Sequence, residues 1–183
     1  MAIGRWPTAP PRERDDPDTD PERVARTILL RRLQQAPRTR TELAETLQER
    51  AVPPDVADRV LGRFEEAGLV DDRLFARMWV DSRQAGRGLS TRALREELRR
   101  KGVADDCIAE AVGRVTPEAE LAAAREIVLR RASSLRGLPR PTQIRRLTGI
   151  LARRGYSADV RARVVREVLD SAEGDPLLLD DDA

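Results

Sequence analysis

The stretch LREELRRKGVADDCIAEAV, residues 94–112, runs as an amphipathic segment, breaks at Lys101-Gly102, and resumes as a second amphipathic segment. Two other stretches share its grammar. LAETLQERAVPPDVADRVL begins at Leu43, and LTGILARRGYSADVRARVV begins at Leu147. Leu43, Leu94 and Leu147 align, as do Leu47, Leu98 and Leu151, then Val52, Val103 and Tyr156. Beyond the break, Val56, Cys107 and Val160 match, followed by Val60, Ala111 and Val164, and by Phe64, Val115 and Val168. The offsets between the three copies are 51 and 53 residues. A repeat of this length decides the architecture before any single motif is read.

Outward from the repeat, punctuation marks the remaining helices. Asp20-Pro21-Glu22 is a helix start, with a cap, a proline in the first turn and an acid beside the positive end of the dipole. Val24, Ile28, Leu29 and Leu33 follow at helical spacing, and Pro37 closes the segment. Thr39-Arg40-Thr41-Glu42 has the form of a capping box for the Leu43/Leu47 helix. Asp71 can cap a helix carrying Phe75, Met78, Trp79 and Val80, the stretch 85–90 reads as a turn, and Ser90 caps the next helix. Gly68, Gly102 and Gly155 read as helix stops, since glycine accepts the left-handed conformation common there. Thr116-Pro117-Glu118 starts a helix through Leu121 and Ile127 to about Arg131. A longer connection follows, then the Ile144, Leu147 and Leu151 helix, and Ser157 caps the last. Asp55, Asp106 and Asp159 each fall in the first turn of a third helix, where a carboxylate suits the dipole.

The expected fold is all-α: three tandem three-helix repeats forming an elongated, curved array. The expected units are 20–69, 70–115 and 116–172. They lie between a Pro- and charge-rich segment, 1–19, expected to be disordered, and an acidic tail, 173–183. Each unit alone would have a marginal core, so neighbours are expected to pack on one another.

Composition excludes several classes. Aromatic residues are 3% of 183, so aliphatic side chains must form the core. No apolar run approaches 18 residues, so no membrane span is expected, and Met1–Asp20 lacks the apolar core of a signal peptide. A single cysteine fits a cytoplasmic protein. There is no histidine, which removes the commonest general base and metal ligand. Cys107 occupies the slot of Val56 and Val160 and reads as a packing residue. The acid pairs Glu65-Glu66, Glu96-Glu97 and Asp105-Asp106 read as solvated helix faces or first turns. GRGLS follows no strand and contains no lysine, so it is not a phosphate loop. No catalytic residue, cofactor or metal site is expected, and the chain is read as a non-enzyme.

Charge is the informative feature. The net is +2, yet residues 170–183 hold six acids and no base, while residues 130–166 hold eleven Arg and one acid, Asp159. Arg136, Arg140, Arg145, Arg146, Arg153, Arg154, Arg161, Arg163 and Arg166 are candidate contact residues, and Arg83 and Arg87 of the second unit complete the set. A solvated face normally mixes both signs, as LREELRR does. A face of one sign points to an acidic partner, either nucleic acid or an acidic protein surface. Arg-rich codon usage is the competing explanation for arginine over lysine. It does not explain why acids vanish from 130–166.

The first unit also resembles the recognition core of winged-helix DNA-binding regulators, in TRTELAETLQERAVPPDVADRVLGRFEEAGLVDD. Such a regulator would next need a two-stranded wing, whereas DDRLFARMWVDSR has helical spacing. A helical scaffold unconnected with nucleic acid is a further alternative.

Residues 71–103, DDRLFARMWVDSRQAGRGLSTRALREELRRKGV, resemble the signature of the RecX regulatory proteins of bacteria. The matching elements are Asp71-Asp72, Phe75-Ala76, Trp79-Val80, Ser82-Arg83, Gly86 and Gly88, Leu94, Leu98 and Lys101-Gly102-Val103. The resemblance implies three tandem three-helix repeats. It also implies binding to the RecA recombinase filament on DNA, with restraint of strand exchange, ATPase and co-protease activity. It brings no catalytic residues. A monomer is expected, with RecA as partner and contact to single- or double-stranded DNA through the basic third unit.

Overall fold

The computed structural model describes residues 20–173. The expectations for 1–19 and for most of the acidic tail therefore fall outside the described residues. Within them there are nine α-helices, one 3-10 turn and no strand. The helices form three successive triplets: α1 (Pro21–Gln35), α2 (Arg40–Glu49) and α3 (Pro54–Glu66); α4 (Asp72–Arg87), α5 (Thr91–Arg100) and α6 (Asp105–Gly113); α7 (Pro117–Ala132), α8 (Arg140–Arg153) and α9 (Ala158–Glu173). The repeat fold read from the sequence is the fold found.

The capping residues account for where these helices begin. The Asp20 carboxylate accepts from the Glu22 amide at 3.0 Å, Asp71 from Leu74 at 2.8 Å, Ser90 from Ala93 at 3.2 Å and Thr116 from Ala119 at 3.1 Å. The Thr39/Glu42 box is reciprocal: the Glu42 amide donates to Thr39 Oγ1 at 3.1 Å, and the Thr39 amide donates to Glu42 Oε2 at 3.2 Å. Each such bond satisfies a donor that the first turn of a helix otherwise leaves unpaired.

Two boundaries differ from expectation. The turn expected over 85–90 begins only at Gly88, because α4 continues through Ala85, Gly86 and Arg87. Gly88, at φ 57°, donates its amide to Gln84 O and closes the helix. The long connection after α7 is partly ordered: Ser133–Leu135 forms a 3-10 turn that buries Leu135, and α8 starts at Arg140, behind Pro139.

The chain condenses into two bodies. One comprises residues up to Pro37 with Leu43–Leu69, and the other comprises Arg38–Glu42 with Val70 onward. In the first, the buried positions include Leu29, Leu43, Leu47, Val60, Leu61 and Phe64. In the second, one core gathers Phe75, Val80, Leu94, Leu98, Ile108 and Val112. A second core gathers Ile127, Val128, Leu147, Leu151, Val164 and Val168. Leu47, Leu98 and Leu151 all have no exposed surface. Burial of each such side chain contributes about 1.5–3 kcal/mol. Cys107 is buried in the α4–α6 core. Burial, reinforced by Asp106, pushes its thiol above the ordinary value, which keeps the sulfur out of the reactive thiolate form.

One joining device occurs twice within the second body. The first amide of α5, Thr91 N, donates to Glu120 of α7 at 2.9 Å, and Ser90 N donates to Arg154 O at 3.0 Å. The first amide of α2, Arg40 N, donates to Asp72 of α4 at 2.9 Å, and Thr39 Oγ1 donates to Lys101 O at 2.6 Å. In each case the glycine after the accepting carbonyl closes on the capped helix. A Cβ on Gly102 would fall 2.3 Å from Thr41 Oγ1, and one on Gly155 would fall 2.7 Å from Ser90 Oγ and from Ala93 Cβ. Both glycines have positive φ, 73° and 86°. Gly102 and Gly155, read as helix stops, are therefore also points of close approach.

Candidate functional site

Helices α7 and α8 and the 3-10 turn enclose a cleft of about 450 Å³. Arg145, Arg146 and Arg153 of α8 and Arg154, the residue after it, line one side, and Arg131 of α7 lines the other. Gly149 and Ile150 form part of the floor, and no carboxylate lines the cleft. Arg145, Gly149 and Arg153 follow one another at four-residue spacing along one face of α8. The Arg153 guanidinium lies over the glycine, 3.5 Å from where a Cβ at Gly149 would stand. A helix-interior glycine costs about 0.5–1 kcal/mol relative to alanine.

The cleft concentrates positive charge. Arg154 is partly buried and donates to Arg87 O at 3.0 Å and to Ile150 O at 3.3 Å. Burial lowers its pKa from the ordinary arginine value, Arg131, Arg153 and Arg130 add to that, and the nearby Tyr156 opposes it. A guanidinium surrounded by others of its own sign gains from an anion that neutralises them together.

The remaining arginines singled out in the sequence divide into three groups. Arg140, Arg161 and Arg166 border a second groove, between α8 and α9, of about 320 Å³. Arg140 is ion-paired with Asp170. Arg163 meets Glu167 at 2.8 Å, and Glu167 also accepts from Arg125 at 2.6 Å, so acids share this face. Arg136 is exposed in the turn before α8 and lines neither groove. Arg131 is the contributor that sequence reasoning left out. Its signal was its place in the acid-free run from residue 130 onward.

Arg83 and Arg87 are engaged elsewhere. Phe75 and Trp79 stack with ring centroids 5.6 Å apart. The Arg83 guanidinium stands 4.1 Å from the Trp79 centroid and Lys101 Nζ stands 4.4 Å from it, both within cation–π range. Trp79 Nε1 donates to Glu97 at 3.0 Å, and Glu97 also pairs with Arg83 and Arg87 at 3.4 Å each. Lys101 Nζ donates to Glu42 at 2.6 Å. The Phe75, Trp79, Arg83 and Lys101 positions of the signature thus form one aromatic and charged cluster joining α4 and α5 to the start of α2. Glu97, read from sequence as a solvated acid, is instead partly buried at the centre of this cluster, where it accepts the indole proton.

The family description "RecX, first three-helix domain" matches residues 25–64, "RecX, second three-helix domain" matches 71–112, and "RecX, third three-helix domain" matches 118–165. The chain belongs to the RecX family. It is 53% identical to "Regulatory protein RecX" of Thermobifida fusca over 150 residues, 82% of this chain and 80% of that protein. It is 47% identical to the RecX regulatory protein of Streptomyces coelicolor over 170 residues, 93% of this chain and 90% of the relative. The crystal structure of RecX from Lactobacillus salivarius superposes with a TM-score of 0.72 at 16% identity, covering 81% of this chain and 96% of that one, and so shares the fold. The winged-helix alternative gains no support. A helix, α4, stands where a wing would follow α3, and the described residues contain no strand. No helix among them is long and apolar enough to cross a membrane.

Proposed function

We propose that this RecX-family protein acts without catalysis of its own, by binding the RecA filament on DNA and restraining its ATPase, strand-exchange and co-protease activities. Family membership supports RecA as the partner. The acid-free cleft lined by Arg131, Arg145, Arg146, Arg153 and Arg154 is the observation that supports the mode of binding. Guanidinium groups bind phosphate oxygens in a bidentate fork, and five converging on one cleft match a sugar-phosphate backbone better than a single carboxylate. In this reading the third repeat lies against phosphates of the filament DNA, and the Trp79 cluster keeps the second repeat rigid.

The direct experiment adds the protein to RecA on single-stranded DNA and follows ATP hydrolysis and strand exchange. Dose-dependent slowing of both supports the reading. Unchanged rates at saturating protein, with no co-sedimentation on filaments, would remove RecA as the partner.

A further inference from the structure

The groove between α8 and α9 differs in chemistry from the arginine cleft. Ile144 of α8, 41% exposed, forms one wall, and Val165 and Leu169 of α9 lie opposite. Arg161 and Arg166 stand at its rim, and the Arg140–Asp170 ion pair sits at one end. An apolar floor beneath a positive rim fits an apolar segment flanked by carboxylates. A bare polyanion would satisfy only the rim.

The chain carries such a segment. Residues 174–183 read GDPLLLDDDA, with Leu177-Leu178-Leu179 between Asp175 and Asp180-Asp181-Asp182. The Arg140–Asp170 pair joins the start of α8 to the far end of α9, and α9 ends at Glu173, one turn beyond Leu169. Ten extended residues reach about 33 Å. The distance back along α9 from Leu169 to Arg161 is about 12 Å at the rise of an α-helix. Gly174 and Pro176 are residue types that end helices rather than prolong them. A segment folding back along α9 would bring its leucines to Ile144 and Leu169 first, and its three aspartates to Arg166 and Arg161 next.

We propose that residues 174–183 dock in the α8–α9 groove of their own chain, with Leu177–Leu179 on the apolar floor and Asp180–Asp182 on Arg161 and Arg166. The docked segment then competes with polyanions for the third repeat. This consequence rests on the proposed function, whereas the docking itself does not. A tether this short holds the segment at an effective concentration in the millimolar range, enough for a weak contact to be populated.

The test compares backbone amide spectra of the full chain with those of two variants, Leu178→Asp and the triple Asp180→Asn/Asp181→Asn/Asp182→Asn. Neither variant alters the folded helices. Docking requires both to shift amides around Ile144, Thr148, Val165 and Leu169, independently of protein concentration. In parallel, the triple variant should bind an oligothymidine about three- to tenfold more tightly at low salt, and the gain should fade as salt screens the charges. Silent groove amides overturn the proposal. So do shifts centred on Arg145 and Arg153 instead, or shifts that grow with concentration, which would place a second copy in the groove. Groove shifts with unchanged oligothymidine affinity uphold the docking and count against the polyanion role of the third repeat.

Discussion

The Tyr156 hydroxyl donates a hydrogen bond of 3.1 Å to the carbonyl of Gly88, a residue 68 positions earlier in the chain. Both partners are buried, and the bond ties the turn after α8 to the turn after α4. Removing the hydroxyl leaves the Gly88 carbonyl unsatisfied. Tyr156→Phe is therefore expected to cost about 1–3 kcal/mol, read from denaturant unfolding at neutral pH. Burial, aided by Glu120 and opposed by Arg154, pushes this phenol up to about 12. A raised folded value means the contribution is intact below the ordinary tyrosine value of about 10 and is lost as pH climbs from there through the folded value. The parent should lose stability by one proton's slope across that alkaline window, and the Phe variant should lack that component.

Gly155 and Gly68 both have positive φ, but only Gly155 has neighbours within reach of a Cβ. Gly68→Ala should cost only the left-handed backbone penalty, about 1 kcal/mol. Gly155→Ala adds a clash with Ala93 and Ser90 and should cost about 1–3 kcal/mol more. Equal thermal midpoints for the two variants would mean that the joining device at Ser90 is not a tight contact.

Much of the fold was legible because a helix writes its core face and its caps into the same few residues. The Leu47, Leu98 and Leu151 register and the Ser90 and Thr116 caps needed nothing beyond spacing and side-chain oxygens. What stayed hidden depends on residues distant in sequence. Gly102 reads as a helix stop, and nothing local shows that Thr41 sits against it. Glu97 reads as one more acid in LREELRR until Trp79 is placed beside it. The arginine run pointed to a single basic face, but the turn before α8 and the antiparallel return of α9 divide it between two grooves, and bring in Arg131.

The shared register gives a parallel expectation for the three cores. Leu47→Ala, Leu98→Ala and Leu151→Ala should each cost about 2–5 kcal/mol, because each removes a side chain with no exposed surface. Three thermal melts check this, and a parent-like melt for any one would place that leucine outside a packed core.

The Lys101–Glu42 pair carries an acid-side expectation. Burial works to raise the Glu42 carboxyl, but the hydrogen bonds from Lys101 and the Thr39 amide and the charges of Lys101 and Arg38 outweigh it and hold it below its ordinary value. A depressed folded value means this contribution is present above the ordinary glutamate range and is lost as pH falls through the folded value. Lys101→Met should cost about 1.5–3 kcal/mol near neutral pH. The gap to the parent should narrow in acid, which pH-resolved unfolding would record.

The arginine cleft is tested most directly by the double variant Arg146→Glu/Arg153→Glu, titrated onto RecA filaments on single-stranded DNA at several salt concentrations. The two positions are seven residues apart on one face of α8, and Leu147 and Leu151 stay in place, so the melting temperature should hold. Each lost phosphate contact should reduce the slope of log affinity against log salt by about 0.7–0.9. Binding and inhibition of strand exchange should weaken most at low salt. An unchanged slope with full inhibition would contradict the account and move the recognition surface away from the third repeat.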